Sequence, residues 1–392
     1  MRLSDLNKLL LLSMTLMLAA CNGGGGGSSS GGGGTTPEPT SQSLSGGGIK
    51  GPLVNAIVTV YAIDTTVVDF KGAVIGSPGS TNDQAQITGL SLPFPLAPPY
   101  LLEFTSDENT TDILTGQAPV ISEMRTVITQ ALLDNGEQIY ATPLTTMAVD
   151  LAIINADTNT APWVEIDRDL DLDDDGTPDL TVSLGDSVVT IDELLSALPI
   201  AAAQVKSTMG FGMDESIDIF DTPPLIDDTT DTGAEQEDAA AYRAAVEAVT
   251  AVVAQIDNAV GTDDPNAVLS ALTSDLADGE IDGKVDNDSG VQESSAIFGG
   301  PDDASSDDTA SAALQLLEQD PASLPIPNDP QGRTVGEMKQ VINDEKADLG
   351  NDDVATEINT EEEVELKPAE TNPDIDGDGV ANDQDAFPED DT

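Results

Sequence analysis

Acidic side chains outnumber basic ones by 73 to 13, which leaves a formal charge of −60 on 392 residues, and the chain contains no histidine. Few compact arrangements tolerate this. Like charges repel at close quarters, and salt limits their reach to roughly 8–10 Å near physiological ionic strength. The expected fold depends on salt or divalent cations; a salt-rich habitat accounts for the charge equally well. Nucleic acid and anionic headgroups are poor partners for such a surface. Without histidine, Ser-His-Asp and Cys-His catalysis are excluded, as are the usual nitrogen ligands of zinc. Any bound metal is held by oxygen, which suits calcium. Cys21 is the single cysteine, so no intramolecular disulfide forms.

The N-terminus has a distinct pattern. Arg2 and Lys8 precede an apolar run from Leu9 to Leu18, and Leu18-Ala19-Ala20-Cys21 follows. A charged start, a short apolar region and a small-residue site make a secretory signal over residues 1–20. The apolar run is about ten residues, short of the roughly 20 that span a bilayer, and no later stretch reads as long and apolar enough to do so. Leu18 to Cys21 resemble the lipobox of bacterial lipoproteins. That resemblance implies cleavage before Cys21, attachment of diacylglycerol to its thiol, and a membrane contact made through that lipid. Asn22, where retention at the inner membrane usually has an aspartate, points by the same resemblance to outer-membrane sorting. Residues 21–48 are rich in Gly and Ser and read as a random-coil tether with a reach of roughly 30 Å.

The remainder reads as α+β, a small N-terminal β-sandwich followed by a mainly α-helical domain, with acidic calcium loops and a disordered tether and tail. Residues 49–141 form the β-rich domain, its sandwich-like core at 49–105. The β-branched run Ala56 to Ile63, with Val67–Phe70, Ala73–Ile75 and Tyr100–Phe104, supplies short strands between Gly and Pro turns. The run Gly51 to Tyr61 resembles the opening of carboxypeptidase-regulatory-like domains and departs at Ala85, where that family often has a turn glycine. Met124–Thr129 and Gln138–Ala141 read as strands around a hairpin-type turn at Asp134-Asn135-Gly136.

Residues 142–350 read as mainly helical. Thr142 caps a helix with Pro143 in its first turn, and Thr142–Ala148 resembles a segment of large bacterial surface lipoproteins. Thr190 and Glu193 form a capping box for a helix that Pro199 ends. An acidic linker containing Pro223-Pro224 follows. Along Glu237–Val260, Tyr242, Val246, Val249, Val253, Ile256 and Val260 form one narrow apolar stripe, for which Val268, Leu269, Leu272 and Leu276 offer a partner. Ala310–Glu318 and Thr334–Leu349 are further helices. Residues 351–392 are an acidic tail, mobile over Glu357–Glu370.

The motif with the most specific spacing is Asp374 to Asp385. Calcium takes six to eight oxygens at about 2.3–2.6 Å, and a twelve-residue loop can wrap them around one ion. Asp374, Asp376 and Asp378 fall at positions 1, 3 and 5, Gly379 at the sharp turn, Val380 at the carbonyl position, Asn382 at position 9 and Asp385 at position 12. With Ala386-Phe387-Pro388 after it, the stretch 374–388 resembles a thrombospondin type 3 repeat, a calcium-binding family. Asp171, Asp173, Asp175 and Asp179, with Gly176, repeat the first half of this pattern inside the acidic loop 167–179. Position 12 there is Val182, so that second site needs an acid such as Asp186 or Asp192. Asp278–Asp288 has the composition of such a loop without its spacing.

These features together describe a calcium-binding, lipid-anchored exported bacterial protein, on the outer membrane or cell surface, with a structural or adhesive role and a protein or glycan partner at the envelope. A non-catalytic accessory lipoprotein of an envelope transport or secretion complex is the second reading. A carbohydrate-active enzyme is the third and weakest, because paired carboxylates need a sugar cleft, usually aromatic-lined, and the chain has one Trp and 3% aromatic residues.

Overall fold

The computed structural model describes residues 41–136, 138–156, 189–281, 284–286, 292–294 and 314–371. The signal, Cys21, most of the tether, the loop 167–179 and the repeat 374–388 lie outside the described residues. What is described is a mixed α+β unit.

Its strands begin inside the stretch read as tether. β1 (Ser41–Gln42) and β2 (Gly46–Gly48) precede β3 (Leu53–Val54), β4 (Ile57–Ile63) and β5 (Lys71–Val74). β6 (Gly79–Thr81), β7 (Ile87–Thr88), β8 (Leu92–Pro93) and β9 (Tyr100–Thr105) follow, then β10 (Thr111–Asp112), β11 (Glu123–Ile128) and β12 (Ile139–Ala141). The main sheet runs β11-β9-β4-β6-β7, with β5 also joined to β4. Val58, Phe104 and Met124 share one register row and Val60, Leu102 and Thr126 another, so their side chains lie on one face. All six are buried.

β2 pairs in parallel with β12, opposite Ile139 to Ala141. Only glycine fits there. A Cβ on Gly46 would lie 1.9 Å from the Ile139 carbonyl oxygen, one on Gly47 2.6 Å from the Ala85 oxygen, and one on Gly48 3.0 Å from the Phe104 ring. These three glycines belong to the fold and not to a tether. Ala85 itself adopts φ 57°, the left-handed conformation that favours glycine. Val67–Phe70, expected as a strand, is a turn that returns the chain to β5, with Asp64 N donating to the Phe70 carbonyl.

The expected hairpin at Asp134–Gly136 is replaced by a short helix. α1 (Gln130–Asn135) is capped by Thr129 and ends at Gly136 in the left-handed conformation, and β12 leaves to pair with β2. α2 (Pro143–Ala156) starts as anticipated, with Thr145 N donating to Thr142 Oγ1 at 3.1 Å, and is buried almost all round. α3 (Ile191–Met209) has the expected capping box: Glu193 N donates to Thr190 Oγ1, and Thr190 N donates to Glu193 Oε2. It does not stop at Pro199. The proline lies on the exposed side, while Leu194, Leu198, Ala201, Val205 and Met209 pack into the core and carry the helix past the missing hydrogen bond.

α4 (Gly233–Val260) is the central element. At 28 residues it is about 42 Å long. Tyr242, Val246, Val249, Val253 and Ile256 are fully buried, but so are Ala239, Ala240, Ala244, Ala245 and Ala248. The narrow stripe understated the contact, because alanine lets neighbours approach from several sides. By length and hydropathy α4 is long enough to cross a membrane, contrary to the sequence reading; 83% of that window is buried within the protein. α5 (Pro265–Asp275) packs against it as expected, through Val268, Leu269 and Leu272. The hairpin β13 (Lys284–Asp286) and β14 (Gln292–Ser294) falls in and beyond the Asp278–Asp288 stretch. A helical turn at 314–317 and α6 (Met338–Glu345) come last.

The expected acidic linker around Pro223-Pro224 and the stretch Glu357–Glu370 are packed. Phe211, Ile217, Ile219, Leu225 and Ile226 are buried. Val364 N donates to the Gly336 carbonyl, Lys367 N to Phe211, Ala369 N to Leu317 and Glu370 N to Thr208. Ile358, Val364 and Ala369 are buried. Widely spaced apolar anchors and backbone hydrogen bonds hold this segment, and average composition hides both. One contiguous apolar core runs from Leu44 to Ala369 and takes side chains from sheet and helices alike.

Candidate functional site

Two ionic clusters and two open cavities stand out. The first cluster is dry. Lys50 follows β2, Asp112 ends β10, Arg243 and Glu247 lie one turn apart on α4, and Glu345 ends α6. All five side chains are 3% exposed or less. Lys50 Nζ donates to Asp112 Oδ2 at 3.0 Å and lies 3.6 Å from Glu247 Oε2. Arg243 reaches two carboxylates at once. Its Nε and Nη2 donate to Glu247 Oε1 at 3.3 and 3.2 Å, and its Nη1 and Nη2 donate to Glu345 Oε2 and Oε1 at 3.2 and 3.1 Å. This planar fork is the geometry in which arginine outperforms lysine. Asp112 Oδ1 accepts from Leu114 N at 2.8 Å, and its carboxylate lies so close to Gly51 that a Cβ there would collide at 2.1 Å.

Burial raises the two glutamates of this cluster. It pushes the Glu345 carboxyl up to about 7 against the pull of Arg243, and raises Glu247 against Lys50 and Arg243. For Lys50, burial acts downward, but Asp112 and Glu247 outweigh it and hold the ammonium above its ordinary value.

The second cluster lies on the other face of the main sheet. Glu103 shares a register row with Thr59 and Arg125, and Glu123 stands two rows further along β11, on the same face. Lys71 contacts Glu103 and, at 2.8 Å, Glu123 Oε1. Arg125 Nε meets Asp150 Oδ1 of α2 at 2.8 Å. Lys71 and Glu123 reach solvent, at 21% and 41% exposed. Burial raises Glu103 and pushes Asp150 up to about 6. Burial also acts upward on Glu123, but hydrogen bonds from Lys71 and Glu103 outweigh it and hold this carboxyl below its ordinary range.

A cavity of about 510 Å³ opens between α1, α3 and residues 215–221, lined by Leu132, Leu195, Leu198 and Phe220 with Glu215, Asp218 and Asp221. Another of about 390 Å³ has Tyr140, Leu225 and Leu349 in its wall beside Gln84, Gln138 and Asp227. Asp227 Oδ2 accepts from Tyr140 Oη at 3.1 Å and from Gln138 Nε2 at 2.8 Å, and its Oδ1 accepts from Thr229 N. These groups are mutually satisfied.

Of the residues singled out in the sequence, Cys21, Asp171, Asp173, Asp175, Asp179, Asp374, Asp376, Asp378, Val380, Asn382 and Asp385 lie outside the described residues. Asp192 is described and sits exposed in the first turn of α3. Among the described residues, no group of three or more Cys, Asp or Glu side chains is arranged to hold a metal. The dry cluster was missed in the sequence. Its one visible sign was a charged pair, Arg243 and Glu247, four apart inside the alanine- and valine-rich run of α4. Comparisons with protein families, curated proteins and solved structures found no match.

Proposed function

We propose that the chain is an exported, lipid-anchored bacterial protein of the outer membrane or cell surface that binds calcium through its aspartate-rich loops and serves a structural or adhesive role. The observation that carries this reading is the spacing of Asp374, Asp376, Asp378, Gly379, Val380, Asn382 and Asp385, which supplies oxygens and a turn at the positions a calcium loop needs. The signal and Cys21 supply the anchor. Within this reading, 49–141 is the β-rich module, its sandwich-like core at 49–105, and 142–350 the mainly helical one.

The described unit supports this reading at two points. Thr371, three residues before Asp374, accepts a hydrogen bond from Ile281 N at 2.8 Å, so the repeat is joined to a packed segment. The second aspartate loop, 167–179, connects α2 and α3, and both helices contribute to the core. Calcium in either loop would neutralise clustered carboxylates beside ordered structure, and its binding energy would add to folding.

Calcium titration calorimetry on residues 22–392, beside Asp378→Ala, tests the metal. The expected dissociation constant is roughly 10⁻⁴–10⁻³ M, typical of extracellular modules, with weaker binding in the variant. If neither chain binds calcium, the reading fails. Labelling of the full chain with a radioactive fatty acid in a bacterial host, abolished by Cys21→Ser, tests the anchor.

A further inference from the structure

The dry cluster holds three carboxylates and two cations in a space that water does not reach. Fully ionised, it carries one uncompensated negative charge, and an unpaired charge in a dry interior is among the most costly features a fold can hold. One guanidinium is shared by Glu247 and Glu345, and Glu247 Oε2 has no hydrogen-bond partner, its nearest cation being Lys50 at 3.6 Å. Among the described residues, Asp112, Lys50, Arg243, Glu247 and Glu345 are the charged groups that act most strongly on one another across β10, the turn after β2, α4 and α6. The simplest neutral form has one proton on the carboxylates, belonging to the coupled group and not to one residue alone.

We propose that this cluster is a one-proton clamp that fastens the C-terminal segment, from α6 to Thr371, onto α4, tight when protonated and looser once the proton leaves. Glu345 is the only member carried by that segment. Its loss of a proton sets it against Glu247 and Asp112 with no added cation, and the strain falls on the α6 contact. The raised carboxyl values agree in direction. A carboxyl whose folded value lies above its unfolded one stabilises fully below the unfolded value, near 4.5, and loses that contribution as pH rises through about 7. The clamp weakens across the window from 4.5 to about 7 and is weakest above it.

The test is hydrogen exchange read by mass spectrometry on residues 22–392 with a chelator present, at pH 6 and pH 8 and corrected for intrinsic exchange rates. Protection in 338–371 is expected to fall about tenfold relative to α2 between these values, one pH unit past the titration being tenfold, and Glu345→Gln is expected to abolish the fall. Protection that holds constant in the parent chain, or that falls equally in Glu345→Gln, overturns the proposal. If Glu345→Gln does not fold, the parent carrying Asp150→Asn and Glu103→Gln is examined by infrared spectroscopy. A protonated-carboxyl band present at pH 6 and lost by pH 8 supports the clamp; no such band overturns it.

Discussion

Lys50, Arg243, Asp112, Glu247 and Glu345 form one cluster, and Lys71, Arg125, Glu103, Glu123 and Asp150 form another, each with two cations and three carboxylates. They share a charge count and differ in surroundings. In the first, every side chain is sealed from water. In the second, Glu123 is 41% exposed and hydrogen bonds from Lys71 and Glu103 hold its carboxyl below its ordinary range against burial, while burial raises Glu103 and Asp150. The same excess carboxylate is thus offset by Lys71 in a site that water reaches in one place, and meets no solvent at all in the other. Burial, more than composition, decides what the acid excess of this chain does.

The largest expected effect comes from removing the cation at each centre. Arg243→Met strands Glu247 and Glu345 in a dry site and should cost about 3–5 kcal/mol in urea unfolding. Arg125→Met, with Asp150 within reach of water, should cost about 1 kcal/mol. Equal costs would break the contrast between the clusters.

A smaller effect separates them by pH. Asp150 is raised from 3.8 to about 6, so its contribution is complete below about 3.8 and lost as pH rises through 6. Asp150→Asn should make the pH dependence of stability shallower between about 4 and 6, while the part that belongs to the dry cluster, from 4.5 to about 7, remains. Chemical denaturation at half-unit intervals of pH would show it. The smallest effect is screening. Lys71→Met should cost less than about 1 kcal/mol, and the cost should vanish near 1 M salt, where the screening length is roughly 3 Å, whereas the cost of Arg243→Met should persist.

Much of the local structure is legible in the sequence. The β-branched run Ile57–Ile63 marks β4, the apolar and aromatic run Tyr100–Phe104 behind its prolines marks β9, Thr126–Ile128 marks β11, and the Thr190 and Glu193 pair marks the start of α3. Three errors share a cause. Gly46–Gly48 continue a glycine-rich run, Pro199 is usually a stop, and Glu357–Glu370 is acidic, and each was read from local composition. Tertiary packing overrides all three: a parallel neighbour needs the glycines, an exposed proline is tolerated on a helix with a buried side, and three apolar anchors hold the acidic strap. The dry cluster was illegible because its members lie at positions 50, 112, 243, 247 and 345, and only the fold brings them together. The spacing of Asp374, Asp376, Asp378 and Asp385, by contrast, is local and is read directly.

The most direct measurement is thermal melting of residues 22–392 at pH 6 and pH 8, each with millimolar calcium and with chelator. If acid excess is relieved by a proton inside and by calcium in the loops, calcium raises the melting temperature at both values, and the chain melts higher at pH 6 than at pH 8 even in chelator. A melting temperature unmoved by calcium at both values, or no higher at pH 6 than at pH 8 in chelator, would contradict it.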